Sequence, residues 1–197
     1  MKSIWVNLKM FLWMTLLTGA IYPLLITGIA QLFFKDMANG GLETLNEKVV
    51  GANLIGQKFS SDKYFWGRPS FVDYNPLPSG GSNLGPTSAV LKKTVAERKA
   101  MIIKAHGIAA NAKIPAELLF ASGSGLDPHI SPEAAYFQVD RVVKSRKLNP
   151  EGKEKILHMI NELTEKRRFG FLGKPYVNVL LLNKSLVNIS ERAPQNE

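Results

Sequence analysis

From Met10 to Phe34 the chain reads MFLWMTLLTGAIYPLLITGIAQLFF, a run without Asp, Glu, Lys or Arg. All sixteen acidic residues come after it. As a helix rising about 1.5 Å per residue, such a run covers roughly 35 Å, enough for a bilayer core of about 30 Å. A lone segment in hydrocarbon satisfies its own backbone only as a helix. The pattern predicts an N-terminal arm (1–10), one transmembrane helix (11–33) and a separate domain (36–197).

Within that domain the pattern turns amphipathic. KVVGANLIGQKF predicts one or two short strands punctuated by Gly51 and Gly56. Residues 64–88, YFWGRPSFVDYNPLPSGGSNLGPTS, carry no helical or strand period but hold four Pro, four Gly and five aromatics. They read as a long ordered loop, because aromatics need burial. Thr87 or Ser88 caps a helix that runs to His106 and stops at Gly107, and Pro115 opens a short helix, PAELLFA. Ser131 and Pro132 start another helix, with Ala135, Val139, Val142 and Val143 on its apolar face to about Lys147. Asn149 and Pro150 repeat that signal. Ile156, Leu157, Ile160 and Leu163 form the buried face, and Lys166, Arg167 and Arg168 complement the dipole at its end. YVNVLLL, 176–182, reads as a buried strand, and the last residues are expected to fray. The class is α+β, helices packed on a small sheet.

Charge adds an orientation. Lys2 and Lys9 lie in the arm with no acid beside them, so the positive-inside rule keeps the arm in the cytoplasm and puts residues 36–197 on the outer, periplasmic face. A cleaved signal peptide is the rival reading, with Gly28-Ile29-Ala30 as its cleavage site. The apolar stretch is too long for it, and Trp5, Trp13 and Lys35 bracket the run as membrane anchors do. The net charge of +9 points first to nucleic acid, but the cations are dispersed and an outer domain meets no genome. Anionic membrane lipid is the better partner for them. With no Cys, disulfides and thiolate metal sites are excluded.

The apolar run also carries a pattern of its own. Thr15, Gly19, Pro23, Thr27 and Gln31 recur every four residues, a stripe that winds by about 40° per step. Small and polar residues in such a stripe let a second membrane helix approach and hydrogen-bond.

Candidate catalytic chemistry is sparse. ASGSGLDPHISPEAA, 121–135, places Asp127, His129 and Ser131 around a Gly-rich turn, but lacks the first Gly of a nucleophile elbow. The structural reading accounts for more of it: Gly123 and Gly125 supply positive φ, Asp127 forms an Asx turn over Pro128, and Ser131 caps the next helix. LPSGGSN, 77–83, is Gly-rich as phosphate cradles are but matches no Walker A loop. His106, His129 and His158 lack metal-ligand spacing, so no metal is expected.

Four segments carry a resemblance: YFWGRPS (64–70), YNPLPSGGSNLGPTS (74–88), SGSGLDPHISPEAAYFQVDRV (122–142) and GKPYVNVLLLN (173–183). Behind one membrane helix, they resemble the C subunits of the bacterial Kdp potassium-transporting ATPase, over nearly the entire chain. The resemblance implies a non-catalytic accessory subunit of a high-affinity potassium importer in the inner membrane. Its partners would be an A subunit that selects potassium, a B subunit that hydrolyses ATP through an aspartyl-phosphate, and a small F subunit. It implies no catalytic residue and no cofactor of the chain's own, and a role as assembly factor and catalytic chaperone raising the ATP affinity of the B subunit. Subunit contacts would fall on the motif loops: Trp66, Gly67, Arg68 and Pro69; Ser79, Gly80, Gly81, Ser82 and Asn83; Gly125, Leu126, Asp127, His129 and Ser131. Direct ATP contact, proposed in the family, would fall on Ser79, Gly80 and Gly81, and it conflicts with an outer location because ATP is cytoplasmic. Two further readings stand beside this one, a membrane-anchored envelope hydrolase using Asp127 and His129, and an anchored binding module using Tyr64, Phe65 and Trp66.

Overall fold

Pro23 shapes the N-terminal rod. It has no N–H to donate, and in an α-helix its ring would press on the carbonyl of residue 19. In the computed structural model, which describes residues 2–45 and 47–191 with side chains to Val187, the helix widens just before it. Helix α1 (Lys2–Leu16) passes through a π-helical turn (Leu17–Ile21) into α2 (Tyr22–Phe33), and the Tyr22 N–H donates to the Leu17 carbonyl five residues back. The rod Lys2–Phe33 is long and apolar enough to cross a membrane, and none of its side chains is buried. A four-residue helix, α3 (Lys35–Ala38), follows. The chain divides after Leu42 into two compact units.

The second unit is built by helices with local start signals. Ser88 accepts from the Leu91 N–H to cap α4 (Ala89–His106), and Gly107, at φ +64°, ends it. Ser131 and Asn149 cap α5 (Pro132–Arg146) and α6 (Pro150–Glu162) in the same way, each with Pro in the first turn. Strands β1 (Leu42–Leu45) and β2 (Lys48–Ala52) pair with each other. Three very short strands make a second antiparallel sheet in the order β3 (His129–Ile130), β5 (Tyr176–Asn178), β4 (Thr164–Glu165). In its register Ile130 and Thr164 both face Val177. The α+β class holds, with α5 packed on α6, α4 and β5, and α6 on the C-terminal helix (Val179–Glu191).

The apolar run at 176–182 is not one strand. It is β5 for three residues and then α7 (Val179–Glu191). Asn178 makes the switch, because its side-chain oxygen accepts from the N–H groups of Leu180 and Leu181 and so caps a helix. The helix puts Leu182 and Leu186 in the core beside Phe65, Ile102, Val139, Val142, Ile156 and Ile160. Lys166, Arg167 and Arg168 do not close α6, which ends at Glu162. They enter a tight hairpin in which Arg168 pairs with Leu172. The short helix expected at PAELLFA is a single 3-10 turn, Ala116–Leu118. The expected fraying at the C-terminus concerns residues outside those described.

Candidate functional site

Residues 53–88 contain no helix or strand, yet Phe65 in their midst is completely buried. Side chains from the helices supply what a sheet would have supplied. The Asn183 amide accepts from the Phe65 N–H at 2.8 Å and donates to its carbonyl at 2.9 Å. One residue on, Gln138 accepts from the Trp66 N–H at 2.7 Å and donates to its carbonyl at 3.1 Å. Arg141, 2 % exposed, donates to the carbonyls of Asp62 and Tyr64 and to Gln138, and its guanidinium lies 4.0 Å from the Trp66 ring. Burial pushes its pKa down to about 10, which still leaves it charged at neutral pH. His106 completes the cluster. Nδ1 lies 3.0 Å from the Ile102 carbonyl and Nε2 faces the Arg141 Nε at 3.4 Å, an arrangement that assigns a neutral ring with its proton on Nδ1. Burial, then the Arg141 charge, holds its pKa below the usual histidine value.

So anchored, the loop meets the 122–129 segment. The Ser122 N–H donates to the Pro69 carbonyl, and the Gly56 N–H to the Leu126 carbonyl. Arg68 pairs with Asp127 at 3.0 Å, and the Arg68 carbonyl accepts from the Tyr74 hydroxyl. Burial, with Asp127 and Asp73 nearby, pushes the Tyr74 pKa up to about 12. Three glycines are needed because backbones touch. A Cβ on Gly56 would stand 2.5 Å from the Asp127 carbonyl oxygen, one on Gly81 2.9 Å from that of Gly123, and one on Gly125 2.7 Å from that of Gly80. Gly125 also has φ +72°, whereas Gly123 does not adopt the positive φ expected of it.

The structure thus gathers Trp66, Gly67, Arg68, Pro69, Gly81, Gly125, Leu126, Asp127, His129 and Ser131 into one body of stacked loops. Ser79 and Asn83 are exposed, and Ser82 accepts from the Leu84 N–H two residues on. Asp127 and His129 do not form a catalytic pair. The carboxylate is engaged by Arg68 and by the backbone N–H of His129, the predicted Asx turn, while the ring nitrogen lies 3.8 Å away. Burial lowers the His129 pKa against the pull of Asp127 and Glu165, and the ring packs 4.5 Å from that of Tyr176. The neutral ring makes the contact with Asp127 no ion pair. The Ser131 hydroxyl donates a hydrogen bond to the Glu117 carboxylate and accepts one from the Ala134 N–H. A cleft of about 310 Å³ lies over these groups. Among the described residues no cluster of three His, Asp or Glu suits a metal ion.

In the N-terminal unit, Gln31 of the stripe is already engaged, exchanging side-chain amide hydrogen bonds with Asn39 at 3.3 and 3.4 Å. A Cβ added at Gly19 would meet nothing of the chain's own fold within 4 Å. The π-turn takes more residues per revolution than an α-turn, which reduces the winding of the stripe between Thr15 and Pro23.

Gln138, Arg141 and Asn183 escaped sequence reasoning. The available signal was the placement of Gln138 and Arg141 among the apolar positions of α5.

Comparison with known proteins places the chain. The family model described as "KdpC: K+-transporting ATPase, c chain" matches residues 4–188. A protein of Citrifermentans bemidjiense is 50% identical over 196 residues, covering 98% of this chain and all of the relative. One from Serratia proteamaculans is 48% identical over 183 residues, 91% of this chain and 95% of the relative. One from Leptospira interrogans is 45% identical over 181 residues, 92% and 91% respectively. Each is named a potassium-transporting ATPase KdpC subunit. Matched over nearly its whole length by the family model and by these relatives, the chain belongs to the KdpC family, the c chain of the K+-transporting ATPase.

Proposed function

We propose that this chain is the accessory, non-catalytic subunit of an ATP-driven potassium importer, anchored in the inner membrane by Lys2–Phe33 and docked there against the larger subunits. The observation that carries the reading is the rod itself, whose apolar side chains find no burial within the chain's own fold. Lipid covers most of such a surface, and small residues at Thr15, Gly19, Pro23 and Thr27 admit a neighbouring helix. The A, B and F subunits are the partners, and potassium is the transported ion of the complex. The arm lies in the cytoplasm and residues 36–197 outside. There the rigid loop body of Arg68, Gly81, Asp127 and His129 offers a fixed surface to a partner.

On this reading any rise in the ATP affinity of the catalytic subunit is indirect. The accessory subunit binds one conformation of the complex better than the other and shifts the equilibrium by that difference. The packing of Gly81 against Gly123 supports this over a phosphate cradle at Ser79–Gly81, because it gives the glycine a structural reason.

Gly19→Leu with Thr27→Leu tests the docking. A Cβ at Gly19 meets open space and Thr27 is exposed, so the two changes leave the chain's own fold intact. Co-purification with the other subunits is expected to fall sharply, and full retention contradicts the stripe as the contact.

A further inference from the structure

We propose that the hairpin 166–174, KRRFGFLGK, is a second membrane contact, one that seats Phe169, Phe171 and Leu172 in the interfacial layer of an anionic bilayer. The turn is built and not frayed. Arg168 and Leu172 exchange both backbone hydrogen bonds, at 3.0 and 2.9 Å, and the Gly170 N–H donates to the Arg167 carbonyl. Phe169 at φ +53° and Gly170 at φ +80° make the reversal. This fixed turn holds apolar side chains in water: Phe169 is 86 % exposed, Phe171 76 % and Leu172 56 %.

Charge selects the occupant. Lys166, Arg167, Arg168 and Lys174 surround the three apolar side chains, all exposed, with no acid between them. Glu165, the nearest acid in sequence, accepts from the Tyr176 hydroxyl, which also interacts with Arg168. Aromatic tips ringed by cations match the layered chemistry of an anionic lipid surface, apolar below the phosphates and negative at them. The second unit is also tethered close to the end of the rod. Only residues 34–42 lie between the rod and the second unit, and nine residues extend to no more than about 32 Å. The inference rests on the reading that Lys2–Phe33 spans the membrane.

The chain has no Cys, so Phe171→Cys gives a unique attachment point for an environment-sensitive fluorophore. The full-length labelled chain, without partner subunits, is reconstituted in vesicles of phosphatidylcholine with and without phosphatidylglycerol. In the anionic vesicles the emission should shift to the blue and be quenched by nitroxide-bearing lipid. Arg167→Glu with Arg168→Glu should abolish both effects, and Phe169→Ser should weaken them. Each cation removed should lower the seated fraction's equilibrium constant roughly five-fold. A water-like emission in both lipids overturns the proposal. So does a shift that appears only when the partner subunits are added, which would assign the hairpin to an acidic protein surface. Flotation with the vesicles reports the rod separately. A chain that floats with an unshifted label refutes the hairpin contact alone, and one that fails to float refutes the membrane anchor and the hairpin contact with it.

Discussion

Gln138 and Asn183 each clamp both the N–H and the carbonyl of one residue, and the two residues, Trp66 and Phe65, are consecutive. Gln138→Ala would strand the Trp66 N–H and carbonyl away from water, at a cost of about 2–4 kcal/mol. Urea unfolding of the detergent-solubilised chain should show that loss, and an unchanged midpoint contradicts the clamp. His106 sets a pH dependence. Its folded pKa is below 6.5, through burial first and the Arg141 charge second, and burial lowers that of His129 likewise. The unfolded chain therefore binds more protons between those folded values and 6.5, so these groups make stability fall as pH drops below about 6.5. His106→Asn keeps a donor near the Nδ1 position and removes the titrating ring. Its unfolding midpoint should drop less between pH 7.5 and 5.5 than that of the parent. An equal or larger drop removes His106 from the account.

The elements differ in how far the sequence disclosed them. Helices α5 and α6 begin at Ser131 and Asn149, where sequence places them, and α4 at Ser88, one of the two caps it offers, because a cap, joined in α5 and α6 by a first-turn Pro, acts within four residues. The apolar run at 176–182 reads as a strand throughout and is one only to Asn178, since a short buried strand and a buried helix present the same composition. Only the Asn178 side chain, turned onto Leu180 and Leu181, decides it. The loop body was half legible. The Asx turn at Asp127 and the cap at Ser131 are local, whereas the Asn183 clamp on Phe65 joins positions 118 residues apart. Its glycines make a paired prediction. Gly125→Ala meets the Gly80 carbonyl and Val72 at positive φ and should cost about 2–4 kcal/mol. Gly123→Ala meets nothing and should stay within about 0.5 kcal/mol of the parent in the same denaturation experiment. Equal losses in the two variants would contradict the backbone-to-backbone packing of these loops.

At the scale of the molecule, an unburied apolar rod is joined to a unit whose long motif loop is locked by buried polar side chains of α5 and α7. Under the proposed function the rod is the membrane anchor, and a rigid body carried on it suits a subunit that biases the conformations of its partners. On the proposed function, the side of the membrane decides whether such a bias would reach ATP directly or through the complex. Absence of Cys lets one residue at a time be interrogated. Lys2→Cys and Glu151→Cys, both at exposed positions, are to be treated with a membrane-impermeant maleimide in intact spheroplasts and in inverted vesicles. The account predicts that Glu151→Cys reacts in spheroplasts and Lys2→Cys only in inverted vesicles. Labelling of Glu151→Cys solely in inverted vesicles would contradict it and return direct nucleotide contact at Ser79–Gly81 to the front.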